Sequence, residues 1–287
     1  LDLRVPDVVG QPVRAEQQRV PPLPLDFEHV YVHLLLDAYR AGDRVALRMR
    51  ARLPGRYQPR AHEFVHVGVV ARDAGQTPDV EEIGAHAIAA SVDQIMLGRA
   101  DAMITGGAEA GISQSALSGF CSAGALSTRN DDPEHACRPF DKNRDGFVMG
   151  DGATCMVIED LQHALDRGAP IIAEITGIGL SGDAHHFTEP CPDGAGAILA
   201  MRNALDDAGL SVTDVDYINA HGPGTPAGDT AEGNALLKLL GDQVGDIPIS
   251  STKPVHGHML GATGPTELAI CIRAIEQGII PHTLNCE

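Results

Sequence analysis

The stretch Val215-Asp216-Tyr217-Ile218-Asn219-Ala220-His221-Gly222-Pro223-Gly224-Thr225-Pro226 decides the fold. Its first half, Val215–Ala220, reads as a strand, and its second half is a turn rich in Gly and Pro. A helix follows over Asp229–Leu240. The same unit then repeats. Ile247–Thr252 reads as a strand, Lys253 and His258 follow it among glycines, and Thr266–Gln277 is a helix stopped by Gly278. Two strand–loop–helix units with chemistry-bearing residues just past the strands indicate α/β layers, where sites gather at strand ends.

The pattern extends upstream to Gly84. Ala85–Leu97 reads as a helix and Ala102–Ile104 as a strand, with Thr105-Gly106-Gly107 a turn against a neighbouring backbone. Thr154–Ile158 is a predicted strand, Leu161–Arg167 a helix closed by Gly168, Ile171–Leu180 a strand, and Ala195–Ala208 a helix stopped by Gly209. Before residue 72 the character changes. That segment holds 11 Arg, no Lys and 8 Asp or Glu, a net of +3, in a chain whose total is −18. Tyr31–Arg40 reads there as a short helix and Val65–Ala71 as a strand. The expected organisation is an unassigned segment 1–72, one α/β half over 73–169 and a second over 170–287.

Composition narrows the function. An 18-unit acidic excess argues against nucleic acid, whose phosphates need Lys and Arg. No apolar run approaches the roughly 20 residues of a membrane span, and no basic start leads into an apolar core. Six scattered Cys without a C-x-x-C pair fit a reduced, cytoplasmic protein.

Two loops hold the candidate chemistry. His221 is followed by Asp229 and Glu232; Ser250-Ser251-Thr252-Lys253 leads to His256, His258, Leu260-Gly261-Ala262-Thr263-Gly264 and Glu267. Neutral imidazoles can donate hydrogen bonds to a developing oxyanion, and a lysine with carboxylates can hold them in state. Glycines let a thioester approach the backbone. His256 and His86 read as structural, and His185-His186 as a solvated or entrance pair. Asp141-Lys142-Asn143-Arg144-Asp145-Gly146 imitates half a calcium loop, but Gly152 stands where Glu is needed, so no metal is expected. Nor is zinc expected at His221, His256, His258 and Asp229, and Cys191 is a weak candidate for a replacement nucleophile.

N-A-H-G-x-G-T-P and S-S-T-K-x-x-x-G-H-x-L-G-A-x-G resemble the two histidine motifs of β-ketoacyl-acyl carrier protein synthases. Leu126–Pro133, Arg138-Pro139-Phe140-Asp141, Arg144–Gly150 and Gly182-Asp183-Ala184 are similar to the fatty-acid, elongating branch. The resemblance implies a thiolase-like fold of two similar α/β halves, here incomplete, and decarboxylative condensation of an acyl group with malonyl-carrier protein. It implies that His221 and His258 stabilise the enolate, with Lys253, Asp229 and Glu267 in a supporting ion-pair network. Thr225 would bind the phosphopantetheine arm of the carrier, which is substrate rather than cofactor; Pro223 replaces a second threonine. The implied partners are acyl carrier protein and a homodimer mate or a Cys-bearing heterodimer mate.

The family's nucleophilic Cys lies three residues before a glycine that matches Gly84, and Glu81 stands there. A carboxylate cannot form the usual acyl thioester, so full condensation is expected to fail on this chain alone. The family's first strand and its late G-F-G-G-x-N loop have no match either. The expectation is therefore a truncated or miscalled gene product, a Cys-less chain-length-type subunit, or a malonyl decarboxylase.

Overall fold

The computed structural model describes residues 83–186 and 189–287, with three short strands before them. These are β1 (Ala46–Arg48), β2 (His66–Gly68) and β3 (Ala71–Arg72). The helix expected at 31–40 lies outside the described residues. Next come α1 (Ile83–Met96), β4 (Ala102–Glu109), α2 (Gln114–Ser122), β5 (Gly152–Glu159) and α3 (Leu161–Asp166). The remainder is β6 (Leu180–Ser181), α4 (Ala195–Ala208), β7 (Ile218–Asn219), α5 (Pro226–Leu240), β8 (Ile249–Ser250), α6 (Lys253–His256) and α7 (Thr263–Gln277).

Strand β4 pairs antiparallel with β5 in an unbroken register, from Ala102 opposite Glu159 to Glu109 opposite Gly152. The pairs β3–β6 and β7–β8 are parallel. Parallel pairing of β7 and β8 sends both strands out of the same edge, so the loops after Asn219 and Ser250 emerge side by side. His221 and Lys253 are brought together in this way.

Helix α4 shows why the second half holds. Ala197, Ala200, Met201, Ala204 and Leu205 repeat at helical spacing and are buried, and Gly209 closes the helix in the left-handed region at φ 65°. Its small side chains let the backbone of Gly179 press close. A Cβ on Gly179 would stand 2.0 Å from the Ala200 carbonyl oxygen. These residues join Tyr217, Ile218, Leu236, Leu268 and Cys271 in one core with Ile88 and Ile158 of the first half.

Two expectations need correction. Thr105-Gly106-Gly107 is no turn but the middle of β4. Its glycines serve close packing within a strand. A Cβ at Gly106 would meet the Thr154 carbonyl at 2.0 Å, and one at Gly107 the Gly261 carbonyl at 2.1 Å. Ile171–Leu180 is also not one long strand: the described ladder is Ala71 with Leu180 and Arg72 with Ser181. A strand is defined by its partner, and the β3 partner is two residues long.

Gly107 lies near Gly84 as well, whose own Cβ would stand 2.1 Å from the same Gly261 oxygen. Three glycines thus let α1, β4 and the loop after His258 touch backbone to backbone. Gly107→Ala is expected to cost about 1–3 kcal/mol, because backbone rather than a flexible side chain must move. A urea unfolding midpoint indistinguishable from that of the unaltered chain would contradict this packing.

Candidate active site

The site grows from the two loops. Gly222 (φ 37°) and Gly224 (φ 92°) adopt backbone that L side chains rarely take. The turn is then pinned by carboxylates from α5. Glu232 accepts the N–H of His221 (3.0 Å) and of Gly222 (2.8 Å). Asp229 accepts the N–H of Gly224 (3.0 Å) and of Phe140 (2.7 Å), and Arg144 lies 3.5 Å away. Asp229 and Glu232 are three apart on α5 and so share a face.

Lys253 opens α6 and is fully buried. Its ammonium donates to Glu267 Oε1 on α7 at 2.6 Å and to the His221 carbonyl at 2.5 Å. Ser251 Oγ donates to the Gly222 carbonyl at 2.8 Å. The second loop therefore grips the first by its carbonyls while α5 grips it by its amides. Glu267 pairs with Lys253, while Asp229 accepts from backbone amides and pairs with Arg144.

His258 is stitched to the first half. Its N–H donates to the Val148 carbonyl (2.7 Å) and its carbonyl accepts from Gly150 (2.9 Å). Its ring packs edge-on to Phe147, centroids 5.0 Å apart, and to His221, centroids 5.2 Å apart at 69°. The Leu260 N–H donates to His258 Nδ1 at 3.2 Å, and Thr263 Oγ1 lies at 3.2 Å. A backbone N–H only donates, so Nδ1 is the accepting nitrogen and the neutral ring carries its proton on Nε2. Burial, helped by the Lys253 charge, holds the His258 pKa well below the ordinary histidine value. His258 is thus a neutral N–H donor.

His256 is lowered too, chiefly by burial; its ring bonds Thr252 Oγ1 (3.1 Å) and its own neighbour's carbonyl at Gly257 (2.7 Å). Below about pH 6.5 the unfolded chain binds protons at these two rings that the folded chain refuses. Stability is therefore expected to fall on acidification, by up to about 1.4 kcal/mol per pH unit for each ring. Urea midpoints between pH 7.5 and 5.5, above the carboxylate range, check this. His258→Gln should flatten the slope, and an equally steep slope in that variant would reject the assignment.

The other sequence candidates have surroundings of their own. Thr225 is the N-cap residue of α5, half-buried, its carbonyl accepting the Asp229 N–H at 3.1 Å. His86 is half-buried on α1, and His185 and His186 are exposed. Cys191 donates to Asp193, which raises its thiol pKa, the wrong direction for a nucleophile. Burial likewise raises Cys137, to about 11, and Cys286. The half calcium loop spends its carboxylates on the protein: Asp141 on Arg138, Asn143 and Glu287, and Asp145 on Ser127 and Thr128. Among the described residues no group of three His, Cys, Asp or Glu could hold a metal ion. Glu81 lies outside the described residues. A cavity of about 150 Å³ beside Ile95, Ile158 and Glu159 contains none of the histidine-site residues.

Residues 84–164 match the family model described as beta-ketoacyl synthase, N-terminal domain, and residues 172–287 match its C-terminal domain. The chain belongs to the β-ketoacyl synthase family. Among its relatives is a 3-oxoacyl-[acyl-carrier-protein] synthase 2 of Coxiella burnetii, 50% identical over 204 residues, which are 71% of this chain and 49% of that protein. The corresponding synthase of Rhizobium meliloti is 51% identical over 205 residues, 71% of this chain and 48% of that one. A solved beta-ketoacyl synthase from Burkholderia phymatum superposes with a TM-score of 0.64 at 38% identity, covering 71% of this chain and 50% of that one. The ishigamide ketosynthase/chain length factor gives 0.63 at 40% identity, covering 71% and 48%. The chain spans about half the length of the curated relatives it matches. The fold is therefore the ketosynthase α/β fold, incomplete, with residues of both family domains meeting at His258.

Glu232 has no role that the sequence alone assigns. Its spacing from Asp229 is the available signal. The sequence holds no signal for Thr263 as a neighbour of His258 Nδ1 or for the bond between Phe140 and Asp229, which joins residues 89 apart.

Proposed function

We propose that this chain carries the malonyl half of a decarboxylative Claisen condensation in fatty-acid or polyketide synthesis. The observation that carries the reading is the buried His221–His258 pair, 5.2 Å between ring centroids, tied to the Lys253–Glu267 ion pair through the His221 carbonyl. In this account the malonyl thioester oxygen sits against the histidine N–H donors. The bond from the α-carbon to the carboxylate breaks, carbon dioxide leaves, and the electron pair passes into an enolate whose oxygen the imidazoles stabilise. In a full condensation the enolate carbon then attacks an acyl thioester carbonyl. Here position 81 offers a carboxylate instead of a thiol, so no acyl thioester forms, and the enolate α-carbon takes a proton from water to give an acetyl thioester and hydroxide.

The substrate is malonyl-acyl carrier protein, with Thr225 beside the phosphopantetheine arm and Pro223 leaving that arm one hydroxyl short. No helix among the described residues is long and apolar enough to cross a membrane. The six scattered Cys without a C-x-x-C pair favour a reducing, cytosolic location. Intact-protein mass after incubation with an acyl-carrier thioester tests the covalent step. No acyl gain is expected; a gain reversed by hydroxylamine would show a working nucleophile and overturn this half-reaction reading.

Glu81 also favours a second reading, a Cys-less subunit paired with a Cys-bearing synthase. Solved relatives include a ketosynthase in complex with its chain length factor. Co-expression with a Cys-bearing synthase distinguishes the two: a stable heterodimer supports the subunit, and separate elution of the chains opposes it.

A further inference from the structure

Phe140 is one of four non-glycine residues among those described with positive φ, at 63°. Its strain is held from several sides. The Phe140 N–H donates to Asp229, the carboxylate that also takes the Gly224 N–H. The next residue, Asp141, is fully buried, paired with Arg138 at 2.9 Å and accepting the Asn143 N–H at 2.7 Å. The Phe140 ring lies against Gly222, the residue after His221. A Cβ on Gly222 would meet Phe140 Cε2 at 2.8 Å and Ser251 Cβ at 2.8 Å. Gly222 is therefore clamped between the ring and Ser251, whose hydroxyl also holds the Gly222 carbonyl. A bulky residue kept in a disfavoured backbone by anchored neighbours marks a place where the surroundings over-determine geometry.

We propose that Phe140 is a positioning residue that sets the orientation of His221 by clamping Gly222. The inference rests on the decarboxylating role of the histidine pair. Without the ring, the turn keeps its Glu232 and Lys253 bonds but gains freedom at Gly222, and the imidazole loses its fixed bearing towards His258.

Three variants of the full chain test it. Phe140→Tyr keeps the ring, Phe140→Leu keeps the strained Cβ but loses the planar ring, and Phe140→Gly loses both. In imidazole nitrogen–proton spectra of histidine-labelled protein, the His221 signals should shift or broaden in the Leu and Gly variants and return to the original pattern in Tyr. Carbon dioxide release from malonyl-carrier thioester should fall by about 10–100-fold in kcat with KM unchanged, as for a misplaced group rather than lost binding. Should Leu and Gly fail to fold, Gly222→Ala disturbs the clamp from the other side and is expected to move the same His221 signals. His221 signals unchanged in folded variants lacking the ring would overturn the proposal. Absence of carbon dioxide release by the unaltered chain would defeat the decarboxylation reading alone, since the imidazole spectra still decide the positioning.

Discussion

Lys253→Ala is expected to lower folding stability by about 3–5 kcal/mol, the usual cost of removing one partner of a buried ion pair. Lys253 is wholly buried and Glu267 nearly so. Removing the ammonium leaves the Glu267 carboxylate uncompensated in a low-dielectric core and strips the His221 carbonyl of its short donor, leaving only the longer Ser251 Oγ contact at 3.4 Å among those described. The loss arises from the abandoned carboxylate more than from the pair itself, so Lys253→Ala/Glu267→Ala should be less destabilised than the sum of its single variants. Urea unfolding of the four proteins measures this coupling. A Lys253→Ala loss below about 1 kcal/mol would place the pair in solvent-like surroundings and contradict the described geometry.

His258→Ala is expected to slow malonyl decarboxylation by about 10²–10³-fold, the effect of deleting one preorganised oxyanion donor. His258 suits that role because its Nδ1 is occupied as an acceptor by the Leu260 N–H and its ring stays neutral through burial. His221→Ala should give a loss of similar size. The double variant should lose much less than the product of the two, because donors to one oxygen act as a unit. Initial rates of carbon dioxide release decide this. Full activity in His258→Ala would remove that ring from the chemistry. Because the working form is the neutral ring, the rate should be flat through pH 7–8 and fall only on acidification below the ordinary histidine range.

Much of the site could be read before the fold was seen, because its elements are local. Asn219 to Pro226 and Ser250 to His258 each carry strand, glycine turn and reactive side chain within one short run. The parallel β7–β8 register then does what two adjacent α/β units ordinarily do, setting the loops together. Helix α2 is hard to read from sequence for a physical reason: it is only nine residues long and none of them is buried, so the helical spacing of Leu117, Phe120 and Cys121 stands alone in a Ser- and Gly-rich run. Its remaining signal was the N-cap Ser113, which accepts the Ala116 N–H at 3.3 Å. Gly106 and Gly107 suggest a turn in the sequence because a glycine pair looks the same whether it bends the chain or, as here, admits a neighbour. The strain at Phe140 could not be read at all, since it depends on Asp229 and Gly222 far along the chain.

The most direct measurement incubates the purified chain with malonyl-carrier thioester and an acyl-carrier thioester together, following carbon dioxide and the thioester products by mass. Carbon dioxide with acetyl thioester and no 3-oxoacyl product is the predicted result: the histidine pair works and position 81 holds no thiol. Absence of carbon dioxide from folded protein, or formation of a 3-oxoacyl thioester, would contradict it.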